Sequence, residues 1–131
     1  MTPAARSALK TITLNAARSK DFPDGSIRHG YQFVAPLTVE GHIDLEAWRT
    51  RRGECFAHRF WGDEPEQRGL LVHKAGGRGG STWRFELGAG PSFEEEDDGF
   101  RFADHAFRTG EYVSIRDEDG ALATFRVVSV K

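Results

Sequence analysis

Cysteine is almost missing from this sequence of 131 residues; Cys55 stands alone. An intrachain disulfide is therefore excluded, and with it the small disulfide-stapled scaffolds. No apolar run approaches the ~20 residues that a membrane-spanning helix needs. The stretch from Met1 to Lys10 carries Arg6 and Lys10 but no apolar core of a secretory signal, so the expected location is cytoplasmic. Neither sign of charge dominates, with 18 basic against 20 acidic residues and a formal charge of −2. A chain so near neutrality lacks the broad positive field that drives non-specific nucleic-acid binding, and nucleic acid is not the expected partner. The spacings His-Glu-x-x-His, Cys-x-x-Cys and Gly-x-Ser-x-Gly do not occur, which removes the local signatures of a zinc protease, a zinc ribbon and a serine hydrolase. With no nucleophile or general base in evidence, the reading leans away from an enzyme, and no cofactor is expected.

What the sequence does have is alternation. The length suits one domain, read as a tail over 1–10 and a single unit over 11–131. Ile12, Leu14 and Ala16 alternate with Thr11, Thr13 and Asn15, and Tyr31, Phe33, Ala35 and Leu37 share a second face. A period of two means strands. Pro36 removes a ladder donor and marks an exit or an edge. Phe56, His58 and Phe60 share one face of a third strand. Most of the ten Phe, two Tyr and three Trp have strand parity and are expected in the core. Segments Gly69 to Ala75 and Ser81 to Leu87 flank Gly76-Gly77-Arg78-Gly79-Gly80; a five-residue loop there sets His73 opposite Trp83 and Leu71 opposite Phe85, while a loop of four or six changes the pairing. Near the C-terminus, a two-residue Asp119-Gly120 turn would set apolar residues against polar ones. A three-residue loop over Glu118 to Gly120 instead pairs Val113 with Phe125 and Ile115 with Ala123, and puts Tyr112, Ser114 and Arg116 on the other side; because one slip flips every side chain, this register is preferred.

One segment breaks the period. Asp44 is a good N-cap, Ile43 and Trp48 have the spacing of a hydrophobic staple, and Gly53 suits a left-handed C-terminal stop. A helix is expected over residues 44–52, with Leu45 and Trp48 plugging one end of a sheet or barrel. The count gives a mainly β fold: a small antiparallel, partly closed barrel of seven or eight short strands with one capping helix. Sandwich closure is the competing arrangement.

The residues that could carry chemistry are scattered. His29, His42, His58, His73 and His105 form no local chelating set, although separate strands could bring them together on a metal. Cys55 and His58 stand three apart on a strand and so point to opposite faces; Cys55 reads as a small core residue. The glycine-rich loop lacks the Gly-Lys-Ser/Thr that opens a helix in a phosphate loop. It reads as a flexible hairpin, with a mobile loop that carries Arg78 close to a ligand as the functional alternative. Trp61 ends a strand before Gly62-Asp63-Glu64-Pro65, and with Arg59 on its face it offers a stacking platform. Arg49, Arg51 and Arg52 form a possible basic patch. Glu94 to Asp98 is an unbroken acidic run; without its five charges the formal balance turns from −2 to +3. It reads as part of a mobile, dispensable loop from Gly88 to Gly99, with cation binding or docking on the arginines as alternatives.

Phe33-Val34-Ala35-Pro36-Leu37, Gly41-His42-Ile43-Asp44, Arg59-Phe60-Trp61, Leu71-Val72-His73 and Gly110 to Asp117 together resemble a family of small uncharacterised bacterial single-domain proteins. The resemblance implies no activity, cofactor or site. The hairpin from Gly110 to Val127 is also similar to the closing hairpin of several barrel families. The expected function is a binding or interaction module working at a loop-bearing barrel rim, with Trp61, His73, Trp83, Arg84 and Arg78 as the candidate ligand contacts. The partner would be a small anionic or planar ligand, or a protein. The alternative is a small enzyme or metal-binding protein built on converging histidines.

Overall fold

The computed structural model of the chain describes residues 7–74, 82–87, 96–100, 106–116 and 122–131. Among the described residues, eight strands follow one another up and down: β1 (Ala8–Ala16), β2 (Ser26–Leu37), β3 (Phe56–Trp61), β4 (Glu64–Lys74), β5 (Thr82–Leu87), β6 (Glu96–Phe100), β7 (Tyr112–Arg116) and β8 (Leu122–Val130). Each pairs antiparallel with the next, and β8 returns to β1, from Ile12↔Val130 to Ala16↔Phe125. The expected antiparallel barrel is present, with the larger of the two strand counts. Its walls are uneven: β1 and β2 pair from Ala8↔Leu37 to Ala16↔Ser26, whereas β6 and β7 share Asp98↔Arg116, Gly99↔Ile115 and Phe100↔Ser114. β1 starts at Ala8, inside the stretch expected as a tail.

Alternation decides which side chains enter. Ile12, Leu14, Tyr31, Phe33, Ala35, Ala57, Leu71, Phe85, Val113, Ile115, Phe125 and Val127 are all buried. An eight-stranded barrel leaves an interior about wide enough for side chains to fill. Here aromatic rings run along it. Tyr31 lies 5.3 Å from Phe85 and 5.2 Å from Phe125, and Phe33 lies 5.1 Å from Phe85 and 5.5 Å from Phe107. The C-terminal register preferred from the sequence holds, with Val113 facing Phe125 and Ile115 facing Ala123; of the pairings left open for the β4–β5 hairpin, the structure has His73 facing Trp83 and Leu71 facing Phe85. The loop residues between them, Arg78 and Gly120 included, lie outside the described residues.

The helix α1 (Leu45–Arg51) closes the end to which β2 runs, and it packs Trp48 into the core. Pro36 lies beyond the last β2–β3 pair, Phe33↔Ala57, so its missing N–H leaves no gap in that ladder; its carbonyl accepts from Asp44 N at 2.8 Å. Asp44 caps the helix by accepting from Ala47 N at 3.1 Å, and Ser7 Oγ donates to its other oxygen at 2.7 Å. These bonds, that from Ser7 most, hold the carboxyl below its ordinary 3.8. A carboxylate favoured in the folded state adds stability that is complete above its unfolded pKa and is lost as pH falls through the lowered folded one. Asp44→Ala is expected to cost about 1 kcal/mol near neutral pH, with the cost fading in strong acid. Urea unfolding of both proteins at pH 7 and in acid checks the size and the sign.

Three expectations need correction. Gly53 does not stop the helix with a left-handed turn: it is not among the positive-φ glycines, and the chain continues into a 3₁₀ turn over Arg52–Glu54. Phe56 and Phe60 have strand parity but face outward, Phe56 at 62% exposure, because Ala57 on the other parity takes the inner side. The acidic run is not all loop. Glu96, Asp97 and Asp98 belong to β6, and the register sets Asp98 between Arg84 of β5 and Arg116 of β7.

Candidate functional site

In an up-and-down barrel, successive connections alternate between the two ends. The β1–β2 loop and the β3–β4 turn share what we term the hairpin end; the helix and the β4–β5 connection share the helix end. Trp61 closes β3 at the hairpin end, paired with His29 and Glu64. His73 and Trp83 face each other at the helix end, ring centroids 4.6 Å apart. From Glu64 to His73, β4 runs nine residues, about 30 Å along the strand. Arg84 follows the inward Trp83 and so belongs to the outer wall. The structure therefore does not gather these candidate contacts on one rim, and Arg78 lies outside the described residues.

Each cluster is packed in its own way. At the helix end Trp83 is 5.3 Å from Trp48, edge to face, and Trp48 is 6.0 Å from His73. Burial, and then the charge of Arg49, push the His73 pKa below its usual value. At the hairpin end the platform expected on Trp61 exists but is already covered. The Arg59 guanidinium carbon lies 4.1 Å from the ring centroid, and Arg59 Nη1 is 3.7 Å from Glu64 Oε2. His29 and Phe22 meet the Trp61 ring at 4.9 and 5.8 Å. Ser26 Oγ and His29 Nδ1 share a hydrogen bond of 2.6 Å, which fixes the imidazole from the loop side.

The concave surface is next to this cluster, on the outer shoulder of the hairpin end. A groove of about 500 Å³ runs between the β1–β2 loop and the outer faces of β1, β7 and β8, within the ~300–1,000 Å³ usual for small-molecule sites. Arg18, Asp24, Ile27, Tyr112, Arg126 and Val128 line it. The row across its floor follows from two registers: Tyr112 faces Arg126 on one side, and Asn15 faces Arg126 on the other. Ile27 and Tyr112 are 82% and 56% exposed, large for apolar or aromatic side chains. Among the described residues the Arg126 side chain has no hydrogen-bond or ion-pair partner.

The loop wall is built rather than slack. Ala17 N donates to Thr124 O at 3.0 Å, which ties the loop to β8. Gly25 N and Ser19 N both donate to Phe22 O, and Arg18 Nε donates to Pro23 O. Gly25 has φ +74°, a conformation that suits glycine. None of these groove residues was singled out from sequence. The C-terminal register did imply an exposed Tyr112 facing Arg126, but the β8–β1 closure that adds Asn15 and the loop joins residues more than a hundred positions apart.

The four described histidines stand apart, and His105 lies outside the described residues. His29 is inside the hairpin end, His58 on the outer wall of β3, His73 at the helix end and His42 in the connection before α1. Among the described residues no group of three or more His, Cys, Asp or Glu could hold a metal ion. Also among them, no helix is long and apolar enough to cross a membrane. Cys55 is fully buried, and burial, followed by the Glu54 charge, pushes its thiol up to about 11. The thiolate is the reactive form. Native protein at pH 8 is therefore expected to react with a disulfide reagent such as DTNB far more slowly than the urea-unfolded chain; equal rates in the two states would contradict the burial.

Comparison with protein-family models, with curated proteins and with solved structures finds no match.

Proposed function

We propose that the protein is a non-enzymatic binding module that seats a small ligand in the shoulder groove of the hairpin end. The observation that carries the reading is a guanidinium without a partner among the described residues, Arg126, beside an exposed tyrosine in a groove of ligand size. Two further features support it. The floor is a hydrogen-bonded sheet and the loop wall is tied to β8, so little ordering is needed on binding. The barrel axis and the Trp61 rim are occupied by the protein's own side chains, whereas the outer shoulder is an open groove.

Amide shift mapping of the full-length chain against a set of small soluble fragments tests the reading. Binders should perturb the amides of Asn15, Arg18, Ile27, Tyr112 and Arg126 together. Shifts that cluster around His73 and Trp83 instead, or a set with no binder at the groove, would overturn it.

A further inference from the structure

We infer that the groove takes a planar ring that carries an oxyanion, either carboxylate or phosphate. The inference rests on the reading of the groove as the ligand seat and adds the chemistry of its occupant. The groove lining holds two guanidinium groups, Arg18 and Arg126, and one carboxylate, Asp24. Arg18 spends its Nε on Pro23 O, and Arg126 bonds to none of the described residues. A guanidinium presents a planar fork that matches a carboxylate or phosphate with two parallel hydrogen bonds. The charge surplus in the groove is therefore positive, and its free donors have the geometry of an oxyanion site.

The ring follows from what stands beside the charge. Tyr112 lies directly across the strand pair from Arg126, more than half exposed, so a ring stacked on its face holds its substituent near the guanidinium. Ile27 on the loop wall and Val128 on the sheet supply apolar surface for the other face of the ring. Asp24 narrows the class. Its carboxylate repels a second anionic group, which disfavours a nucleic-acid strand, and it can accept from a hydroxyl or amine on the ring. The formal charge of −2 gives no long-range attraction for anions, so recognition rests on these close contacts and weakens with salt.

Paired probes on the isotope-labelled full-length chain test the inference: 4-hydroxybenzoate against 4-hydroxybenzamide, and adenosine monophosphate against adenosine. Expected is saturable binding of one or both anions at the amides of Asn15, Tyr112 and Arg126, roughly tenfold or more tighter than the neutral partner, the scale of one charge-assisted hydrogen bond. Arg126→Gln should remove that advantage with the melting midpoint unchanged, because the side chain is exposed and bonds to none of the described residues; Arg126→Lys should restore part of it. Binding by the first pair alone assigns a carboxylate ligand, and by the second alone a phosphate ligand. A neutral probe that binds the groove as tightly as its anion overturns the oxyanion and leaves the groove as a seat. No effect at the groove from any of the four overturns the ligand class, and the fragment mapping then decides separately whether the groove binds at all.

Discussion

Replacing Gly69 with alanine is expected to prevent the barrel from closing. A Cβ on Gly69 would lie 1.5 Å from the backbone oxygen of Glu86, the residue before its partner Leu87 on β5. A side-chain atom at that distance could swing away; a carbonyl held in a ladder cannot, so β4 and β5 must part. Gly30 is built the same way, with its Cβ position 1.9 Å from Leu14 O beside the register shift at Asn15/Ala16. Neither residue has a positive φ, so the obstacle is space and not backbone conformation. Glycines of this kind let barrel strands bend sharply and approach closely. The expected loss exceeds about 4 kcal/mol, the upper end for a single substitution and a large share of the ~5–15 kcal/mol that holds a domain together. Gly53→Ala is the control: nothing lies within 4 Å of its Cβ position, and a change of under about 1 kcal/mol is expected. Urea unfolding reads both. A Gly69→Ala protein with a wild-type midpoint would mean that the two strands are not in this register.

The strands that were legible from sequence share one property, an unbroken alternation with one apolar parity. β1, β2 and the β7–β8 hairpin have it, and their faces came out as read. β6 does not. Glu96-Asp97-Asp98-Gly99 reads as solvated loop, and what makes it a strand is non-local: a closed wall needs a strand between β5 and β7, and Arg84 and Arg116 stand in register on both sides of Asp98. Parity also gave no inside or outside for β3. Phe56 and Phe60 were the more apolar choice, yet the interior took Ala57, Arg59 and Trp61, because aromatic rings from β2, β5 and β8 already fill the axis and leave room for a small residue at Ala57. The pairing of Trp61 with Trp83 in one site failed on topology. The first sits at the β3–β4 turn and the second at the next turn, and in a meander consecutive turns lie at opposite ends. That consequence was available from the strand order alone. The groove was not, since it exists only once β8 returns to β1.

Removing the Trp48 side chain should be the most damaging change outside the glycines, and its variants separate two contributions. Trp48 is 5% exposed and fixes α1 to the barrel in two ways. Its ring meets Trp83 edge to face at 5.3 Å, and its Nε1 donates to Leu71 O at 3.0 Å. Leu71 N is itself bonded to Cys55 O, just beyond the end of β3, so the indole completes the hydrogen bonding of β4 where the sheet has run out of strand. Trp48→Ala deletes both the ring and the donor, and a loss of about 3–5 kcal/mol is expected from the cavity and the lost burial. Trp48→Phe keeps most of the apolar volume but strips the donor from a buried carbonyl, for which about 1–3 kcal/mol is expected. Urea midpoints should therefore fall in the order wild type, Phe, Ala. A Phe variant equal to wild type would mean that the bond to Leu71 O adds nothing. Equal losses in the two variants would mean that the hydrogen bond, and not the ring, holds the helix. Because Trp48 contacts Leu71, His73 and Trp83, none of which lines the shoulder groove, Trp48→Phe should leave the amide shifts of Tyr112 and Arg126 in place, so that damage to the fold and loss of binding can be told apart.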